Sequence, residues 1–278
     1  MKITLEQLKA MLPTIKKPEQ WLATINIILP ENGIDTPERI AAFFAQAGHE
    51  SQDCNTLSEN LNYSWERLRQ VFPRYFKTDA IAKEYHRNPE KIANHVYDDA
   101  NRVNKIGNTK PGDGWLFRGR GIFQLTGRTN YTAFAKSLNI TPEAATIYLQ
   151  SHQGALQSAC WFWNQRNLNS YADRQDIVGM SKAVNGGDIG LADRIARYKR
   201  NLAVMQDTKA VQDMPRALQR GSKGADVRRV QVALGFSGKA VDGDYGRITE
   251  AAVSSWQRSH KMVATGRLTG PQVAMLLT

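Results

Sequence analysis

The sequence contains little that would cross-link it or hold it in a membrane. Its 278 residues include two cysteines, Cys54 and Cys160, which are too few for a disulfide framework or a cysteine-based metal cluster. We expect both to be reduced, buried thiols. No run approaches the ~18 apolar residues of a membrane span, and the first residues lack the hydrophobic core of a signal peptide. The sequence therefore predicts a chain made in the cytoplasm, without stable insertion into a membrane.

Signatures of metal and cofactor sites are also missing. His49-Glu50 is not followed by a second histidine at the spacing of a zinc-binding helix, and the five histidines do not cluster. The glycines between Gly119 and Gly127 are not followed by the Lys-Ser or Lys-Thr pair of a phosphate-binding loop. We therefore predict neither a metal nor a cofactor.

The charge of the chain is strongly basic but dispersed. A net charge of +11 favours a polyanionic partner, either nucleic acid or an acidic cell-surface polymer. The densest basic pieces are as short as Arg228-Arg229, and no recognised nucleic-acid-binding motif accompanies them. We therefore predict no nucleic-acid partner, and we expect the charge to assist encounter with an acidic polymer.

Much of the sequence has the periodicity of amphipathic helices. Apolar residues recur at helical spacing behind good N-caps, which predicts a succession of helices. The central helix begins at Thr36, which suits the N-cap, and Pro37 suits the first helical position. Its apolar stripe consists of Ile40, Phe43, Phe44 and Ala47. The segment from Trp115 to Gly127 is instead typical of a short hairpin with glycine bends. We predict a mainly α fold with a small hairpin region.

The chain is predicted to form two domains, residues 1–206 and 216–278. Residues 207–215 have no clear period and end in proline, which is typical of a linker. The second domain is predicted to contain three short helices joined by glycine turns, two of which look like repeats. A module of this size is near the lower limit for independent folding. Since it lacks paired catalytic groups, we expect it to bind and not to catalyse.

Two glutamates, one near the end of the central helix and one nine residues later, are candidate catalytic groups. Glu50 lies at the edge of the apolar stripe, where partial desolvation should let it hold a proton near neutral pH. Glu59 lies in a polar segment, where it should stay ionised. Such a pair suits acid–base hydrolysis of a glycosidic bond. The alternative is structural: Glu50 could pair with a buried arginine, and Glu59 could be an ordinary loop residue.

A third charged residue, Arg194, borders the buried face of the last helix in the larger domain. A buried guanidinium needs an anionic or polar partner. That partner could be a backbone carbonyl, Glu59 or a substrate.

Several motifs in order give residues 1–206 a specific resemblance to glycoside hydrolase family 19, in the disulfide-poor form found in bacteriophage endolysins. They are Gly48-His49-Glu50-Ser51, Ser58-Glu59-Asn60, Gly119-Arg120-Gly121-Ile122-Phe123-Gln124-Leu125-Thr126, Asn130-Tyr131, Asn185-Gly186-Gly187 and Ala192-Asp193-Arg194-Ile195. Residues 213–278 resemble the three-helix peptidoglycan-binding domain. The motifs there are Gly221-Ser222-Lys223-Gly224, Asp242-Gly243-Asp244-Tyr245-Gly246 and Trp256-Gln257.

The resemblance implies a lysozyme-like helical catalytic domain and a role for each candidate residue. It makes Glu50 the general acid, Glu59 the general base, and Thr126 the residue that helps to hold the nucleophilic water. It implies inversion, with the two carboxyls roughly 6.5–9.5 Å apart, and places Arg194 near the base. The residues that it implies for substrate binding are Gln124, Asn130, Tyr131 and Asn185, together with Arg194.

The function that follows is that of a modular endolysin, which cleaves the β-1,4 glycan strand of peptidoglycan. Its C-terminal module would anchor a monomeric enzyme to the cell wall, after release through a holin-type pore. One alternative is a chitinase on the same fold, whose substrate lacks the lactyl-peptide branch. Another is a non-catalytic wall-binding protein with inert glutamates.

Overall fold

The computed structural model of the protein describes residues 1–206, 217–260 and 262–277. It divides into two compact units, Met1–Gln206 and Asp207–Thr278. The predicted linker, residues 207–215, lies outside the described residues. Across the described ranges, no helix is both long enough and apolar enough to cross a bilayer.

The larger unit is helical, which confirms the predicted fold class. Its helices are α1 (Leu5–Met11), α2 (Pro18–Glu31), α3 (Pro37–Ser51), α4 (Trp65–Val71), α5 (Asp79–Glu84), α6 (Pro89–Val96), α7 (Asp113–Leu116), α8 (Arg128–Ser137), α9 (Pro142–Tyr148), α10 (His152–Gln165), α11 (Leu168–Asp173), α12 (Ile177–Asn185) and α13 (Leu191–Gln206). A short 3-10 helix, Asp99–Asn101, follows α6.

The predicted hairpin is smaller than expected. In the described part of the chain it consists of isolated antiparallel bridges, Ser58 with Arg120 and Arg120 with Leu125. The cause is the backbone between the bridged residues, since Gly121 and Gln124 adopt left-handed φ angles of 78° and 49°. These angles close a tight turn, which leaves no length for regular strands.

Helix α3 is the centre of the larger unit. The Thr36 hydroxyl accepts a hydrogen bond from the backbone N–H of Arg39, and proline opens the first turn, as predicted. The residues of the apolar stripe are all buried: Ile40, Phe43, Phe44 and Ala47. Helix α13 packs along α3. This packing brings Arg194 to Glu50, although 144 residues separate them.

Two smaller apolar cores lie beside the core around α3. One is built from residues between Leu61 and Val96, and the other from residues between Phe117 and Leu149. Backbone hydrogen bonds join the segments that lead into them: the N–H of Glu59 donates to the carbonyl of Gly119 at 3.1 Å. These bonds fix the backbone of Glu59 against the glycine-rich turn.

Both cysteines are free and buried, as expected. Cys54 and Cys160 belong to the apolar core around α3. Burial raises the pKa of the Cys54 thiol to about 12, and burial also raises the pKa of Cys160. Because the reactive form of a cysteine is the thiolate, neither residue is a candidate nucleophile.

The smaller unit contains helices α14 (Ala225–Ala233), α15 (Arg247–Ser259) and α16 (Gly270–Leu277). The predicted repeat has a physical basis in two buried glutamines, one on each of the first two helices. The Gln231 side-chain oxygen accepts a hydrogen bond from the N–H of Gly243 at 2.9 Å. The Gln257 side-chain oxygen accepts one from the N–H of Gly266 at 3.0 Å. Each glutamine therefore fixes the glycine turn that precedes the next helix.

Candidate active site

Glu50 stands on the last turn of α3 with 27% of its side chain exposed. It forms an ion pair with Arg194, whose Nη2 donates to Oε1 of the carboxylate. Arg194 is itself 1% exposed. Its remaining polar atoms donate to the side-chain oxygen of Gln46 and, from Nε at 3.4 Å, to the carbonyl of Ile189. The buried arginine considered as a partner for Glu50 is therefore present, and it fixes the orientation of this carboxylate.

Arg194 was expected near the general base, and the structure pairs it with Glu50, because α13 packs along α3. The loop between α12 and α13 shapes this contact. The Asn185 side chain donates to the carbonyl of Ile189 at 2.9 Å and accepts from the N–H of Gly187 at 2.9 Å. Asn185 thus holds the loop whose carbonyl also binds Arg194. Its side chain is exposed, and its contact with a sugar stays a prediction.

Glu59 lies in a more enclosed environment than its polar neighbours in sequence suggest. The Tyr97 hydroxyl donates to Oε2 at 2.6 Å, and the N–H of Gly119 donates to Oε1 at 2.6 Å. Burial raises the pKa of the Glu59 carboxyl, while these two hydrogen bonds and the charges of Arg118 and Arg120 oppose the rise. Glu59 is therefore not an ordinary loop carboxylate, because residues distant in sequence surround it.

Gly119 is the point at which the candidate side chains converge. A Cβ atom at this position would lie 2.9 Å from Oε1 of Gln124, 3.2 Å from Oγ1 of Thr126 and 3.4 Å from Cδ of Glu59. The absence of a side chain therefore leaves space for all three groups. The Thr126 hydroxyl donates to the carbonyl of Gln124 at 2.9 Å, so its lone pairs stay open to a hydrogen-bond donor such as water.

Tyr131 does not line the site, which corrects its expected contact with substrate. The residue is 0% exposed. Its hydroxyl donates to the carbonyl of Arg118 at 2.8 Å and accepts from Nη1 of Arg120 at 3.0 Å. The hydroxyl therefore both donates and accepts a hydrogen bond inside the protein. Through these two bonds Tyr131 stabilises the segment that leads into the glycine-rich turn.

Gln124, Thr126 and Asn130 line an open pocket of about 260 Å³. Asn130 stands on α8, is exposed, and donates from Nδ2 to the carbonyl of Thr126 at 2.9 Å. Gln124 donates from Nε2 to the carbonyl of Gly121 at 2.9 Å. Both amides therefore have their nitrogen atoms bonded to the turn, and their oxygen atoms are available as acceptors. The other residues that line the pocket are Arg102, Ile106, Phe123, Leu125, Trp161, Phe162 and Arg166.

The candidate residues thus form two groups. Glu50 and Arg194 make one, and Glu59, Gln124 and Thr126 make the other. The short segment 52–58 joins them along the chain.

Sequence reasoning missed two sets of polar residues. Tyr97 follows a helix whose apolar face predicts burial, and nothing local indicates its bond to Glu59. A network of four residues also braces the end of α3 through α13. Asp193 accepts from Arg197 at 2.7 Å and contacts Nδ1 of His49 at 2.7 Å, and Arg197 also bonds Asp53 at 2.5 Å. The signal that could have found the network is the run of charges at helical spacing on α13.

Both units of the chain are similar to known proteins. Residues 223–276 match the family described as a peptidoglycan binding domain. A Haemophilus influenzae protein described as "Glycosyl hydrolase family 19 domain-containing protein" is 42% identical over 161 residues, which cover 57% of this chain and 76% of that protein.

Two solved structures have a similar fold. A bacterial family 19 chitinase has a TM-score of 0.51 at 18% identity, over 73% of this chain and 95% of that one. Chitinase C from Streptomyces griseus has a TM-score of 0.50 at 16% identity, over 73% of this chain and 76% of that one. These structures show the fold, and the Haemophilus influenzae relative, at 42% identity, shows the family. The chain belongs to glycosyl hydrolase family 19.

Proposed function

We propose that this family 19 enzyme is an endolysin that hydrolyses the β-1,4 glycosidic bonds of bacterial peptidoglycan, as an inverting, muramidase-type glycosidase. The observation that carries the proposal is the second unit, because residues 223–276 match a peptidoglycan-binding family. A wall-binding module on the same chain raises the local concentration of the glycosidase at peptidoglycan. The net charge of +11 also favours encounter with an anionic polymer.

Glu59 is suited to the role of general base. Burial raises the pKa of its carboxyl, and a carboxylate of higher pKa is a stronger base near neutral pH. Tyr97 and Gly119 hold one oxygen each, so the carboxylate has a fixed orientation. In the proposed reaction Glu59 removes a proton from a water molecule that the hydroxyl of Thr126 helps to position.

Glu50 is proposed as the general acid, on the opposite side of the scissile bond. To act, it must carry a proton that it gives to the leaving oxygen. Its ion pair with Arg194 holds the side chain in place, and the same guanidinium can stabilise the carboxylate that forms when the proton leaves. An inverting mechanism requires the two carboxyls to stand about 6.5–9.5 Å apart.

The oxygen atoms of Gln124 and Asn130 suit the binding of sugar hydroxyl and acetamido groups. Both residues line the pocket beside Thr126, and both have their amide nitrogens fixed by the turn. Such preorganised acceptors favour one orientation of the sugar.

A chitinase is the second candidate, because the two similar solved structures are described as chitinases. We distinguish the two by the release of reducing ends from purified sacculi and from chitin oligosaccharides. The proposal expects faster hydrolysis of sacculi and retention of the full chain on them. Hydrolysis of chitin alone would overturn it.

The biological role is proposed to be lysis of a bacterial host from within. The protein would act as a monomer on the wall, after synthesis in the cytoplasm and release through a holin-type pore. Expression of the chain alone should leave cells intact until their inner membrane is permeabilised. Lysis or secretion without a pore-forming partner would contradict this route.

A further inference from the structure

The pocket beside Thr126 carries two arginines that the hydrolysis does not use. Arg102 and Arg166 both contribute to its lining, together with aromatic side chains. A neutral glycan offers only hydroxyl and acetamido groups, which do not require a cation. The two guanidinium groups therefore indicate that the pocket binds an anionic group.

Arg166 is held in place by aromatic rings and not by a carboxylate. Its guanidinium lies 3.9 Å from the centroid of the Phe162 ring. Phe162 in turn stacks on Phe123, with centroids 5.0 Å apart and planes inclined by 29°. Arg166 is an exposed residue, and desolvation of its guanidinium lowers the pKa. Among the described residues, no carboxylate forms a salt bridge with it.

Arg102 has a similar lack of acidic partners. It donates to backbone carbonyls, from Nε to Asn104 at 3.2 Å and from Nη1 to Val96 at 3.3 Å. Its guanidinium lies 5.7 Å from the centroid of the Tyr97 ring. Within the described part of the chain it too forms no salt bridge.

Four other arginines of the same unit form close ion pairs. Arg39, Arg128 and Arg197 each bind an aspartate at 2.5–2.7 Å, and Arg194 binds Glu50. Arg102 and Arg166 differ from these four, because their guanidinium groups lie near aromatic rings and, among the described residues, form no salt bridge. A positive pocket with an aromatic wall suits a ligand that carries a carboxylate near an apolar or sugar surface.

We propose that Arg102 and Arg166 bind carboxylates of the stem peptide on the muramic acid residue and thereby select peptidoglycan over chitin. The inference rests on the proposed function, since peptidoglycan differs from chitin in the lactyl-peptide branch. Peptide carboxylates are the anions of that branch in the intact wall, because the lactyl carboxyl is tied up in an amide bond. The arginines determine specificity and take no part in bond cleavage.

The test compares kcat/KM of the full chain on three soluble substrates. They are uncross-linked glycan strands that carry stem peptides, the same strands after an amidase has removed the peptides, and chitin oligosaccharides. We expect R166Q to lower the ratio of peptide-bearing to chitin turnover by about fivefold, the scale of a partly exposed ion pair. R166K, which keeps the charge, should recover part of the ratio, and added salt should reduce the wild-type preference.

Arg174 supplies a matched control. It is an exposed arginine on the same unit whose guanidinium lies 5.2 Å from the centroid of the Tyr171 ring, and it does not line the pocket. R174Q should therefore leave the substrate ratio at its wild-type value.

Three results would overturn the inference. R166Q could change all substrates equally, it could change none, or it could act as strongly on peptide-free strands, whose lactyl carboxyl is then exposed. The proposed function fails in a different way. If the wild-type chain releases no reducing ends from peptide-bearing strands, peptidoglycan is not its substrate and the pocket has no stem peptide to bind.

Discussion

The hydroxyl of Tyr97 donates a 2.6 Å hydrogen bond to Oε2 of Glu59, across 38 residues of sequence. With the N–H of Gly119 on the other oxygen, both ends of the carboxylate are fixed. Burial raises the pKa of this carboxyl, and the bond from Tyr97 is the largest of the effects that oppose the rise. The hydroxyl of Tyr97 therefore controls both the orientation and the basicity of the proposed base.

Replacing Tyr97 by phenylalanine tests this control. Removing the hydroxyl should lower kcat by about tenfold, since a hydrogen bond to a charged group is lost. The pKa of Glu59 should rise further, so the acidic limb of the kcat/KM profile should move to higher pH. Tyr75→Phe is the control, because in the described residues the Tyr75 hydroxyl has no hydrogen-bond partner although its ring lies in the same core. If the acidic limb of the Tyr97→Phe profile does not move, Tyr97 does not set the pKa of the general base.

Glu59→Gln should lower activity by about a thousandfold, the scale of general base catalysis, without loss of stability. The amide can still accept from Gly119 and can donate to the Tyr97 oxygen. A raised pKa in the folded protein means that ionised Glu59 destabilises the fold as pH rises through that pKa. The amide has no such cost, and each pKa unit is worth about 1.4 kcal/mol.

Denaturant unfolding at two pH values measures this effect. The variant should be more stable than wild type above the raised pKa of Glu59, and its advantage should shrink at lower pH. A variant that is destabilised at high pH would show that burial of the charge is not the dominant effect.

Glu50→Gln should also abolish hydrolysis, but with a different effect on stability. Arg194 is buried, and it would lose the anionic partner that compensates its charge. We expect the variant to keep its fold and to lose about 1–3 kcal/mol of unfolding free energy. If the folded Glu50→Gln protein keeps near-wild-type activity, Glu50 is not the general acid.

Deleting residues 213–278 should separate binding from catalysis. The larger unit has its own apolar cores, so the truncated chain should fold. Its retention on sedimented sacculi should fall, while its turnover of short glycan fragments should stay close to that of the full chain. Unchanged affinity for sacculi would mean that the second unit is not the anchor.

The parts of the structure that depend on local sequence were predictable. Helix α3 begins at Pro37, behind the expected N-cap, and its apolar stripe is buried as the periodicity indicates. The glycine turns of the smaller unit are also local. Each is fixed by a glutamine on the preceding helix, Gln231 or Gln257.

Long-range contacts were not predictable from one sequence. Glu59 is surrounded by polar residues along the chain, but its burial comes from Tyr97 and the turn at Gly119. Arg194 was expected to need an anionic or polar partner, and it has one of each in Glu50 and Gln46. The choice of Glu50 over Glu59 is set by how α13 packs on α3, which helical periodicity does not reveal.

We propose that Glu50 and Glu59 together catalyse cleavage of the peptidoglycan glycan strand at N-acetylmuramic acid. The most direct test of this claim is mass spectrometry of borohydride-reduced fragments from purified sacculi, digested by the wild-type chain and by Glu50→Gln. We predict reduced N-acetylmuramic acid ends with the wild type and none with the variant. Reduced N-acetylglucosamine ends, or free peptides without new reducing ends, would contradict the claim.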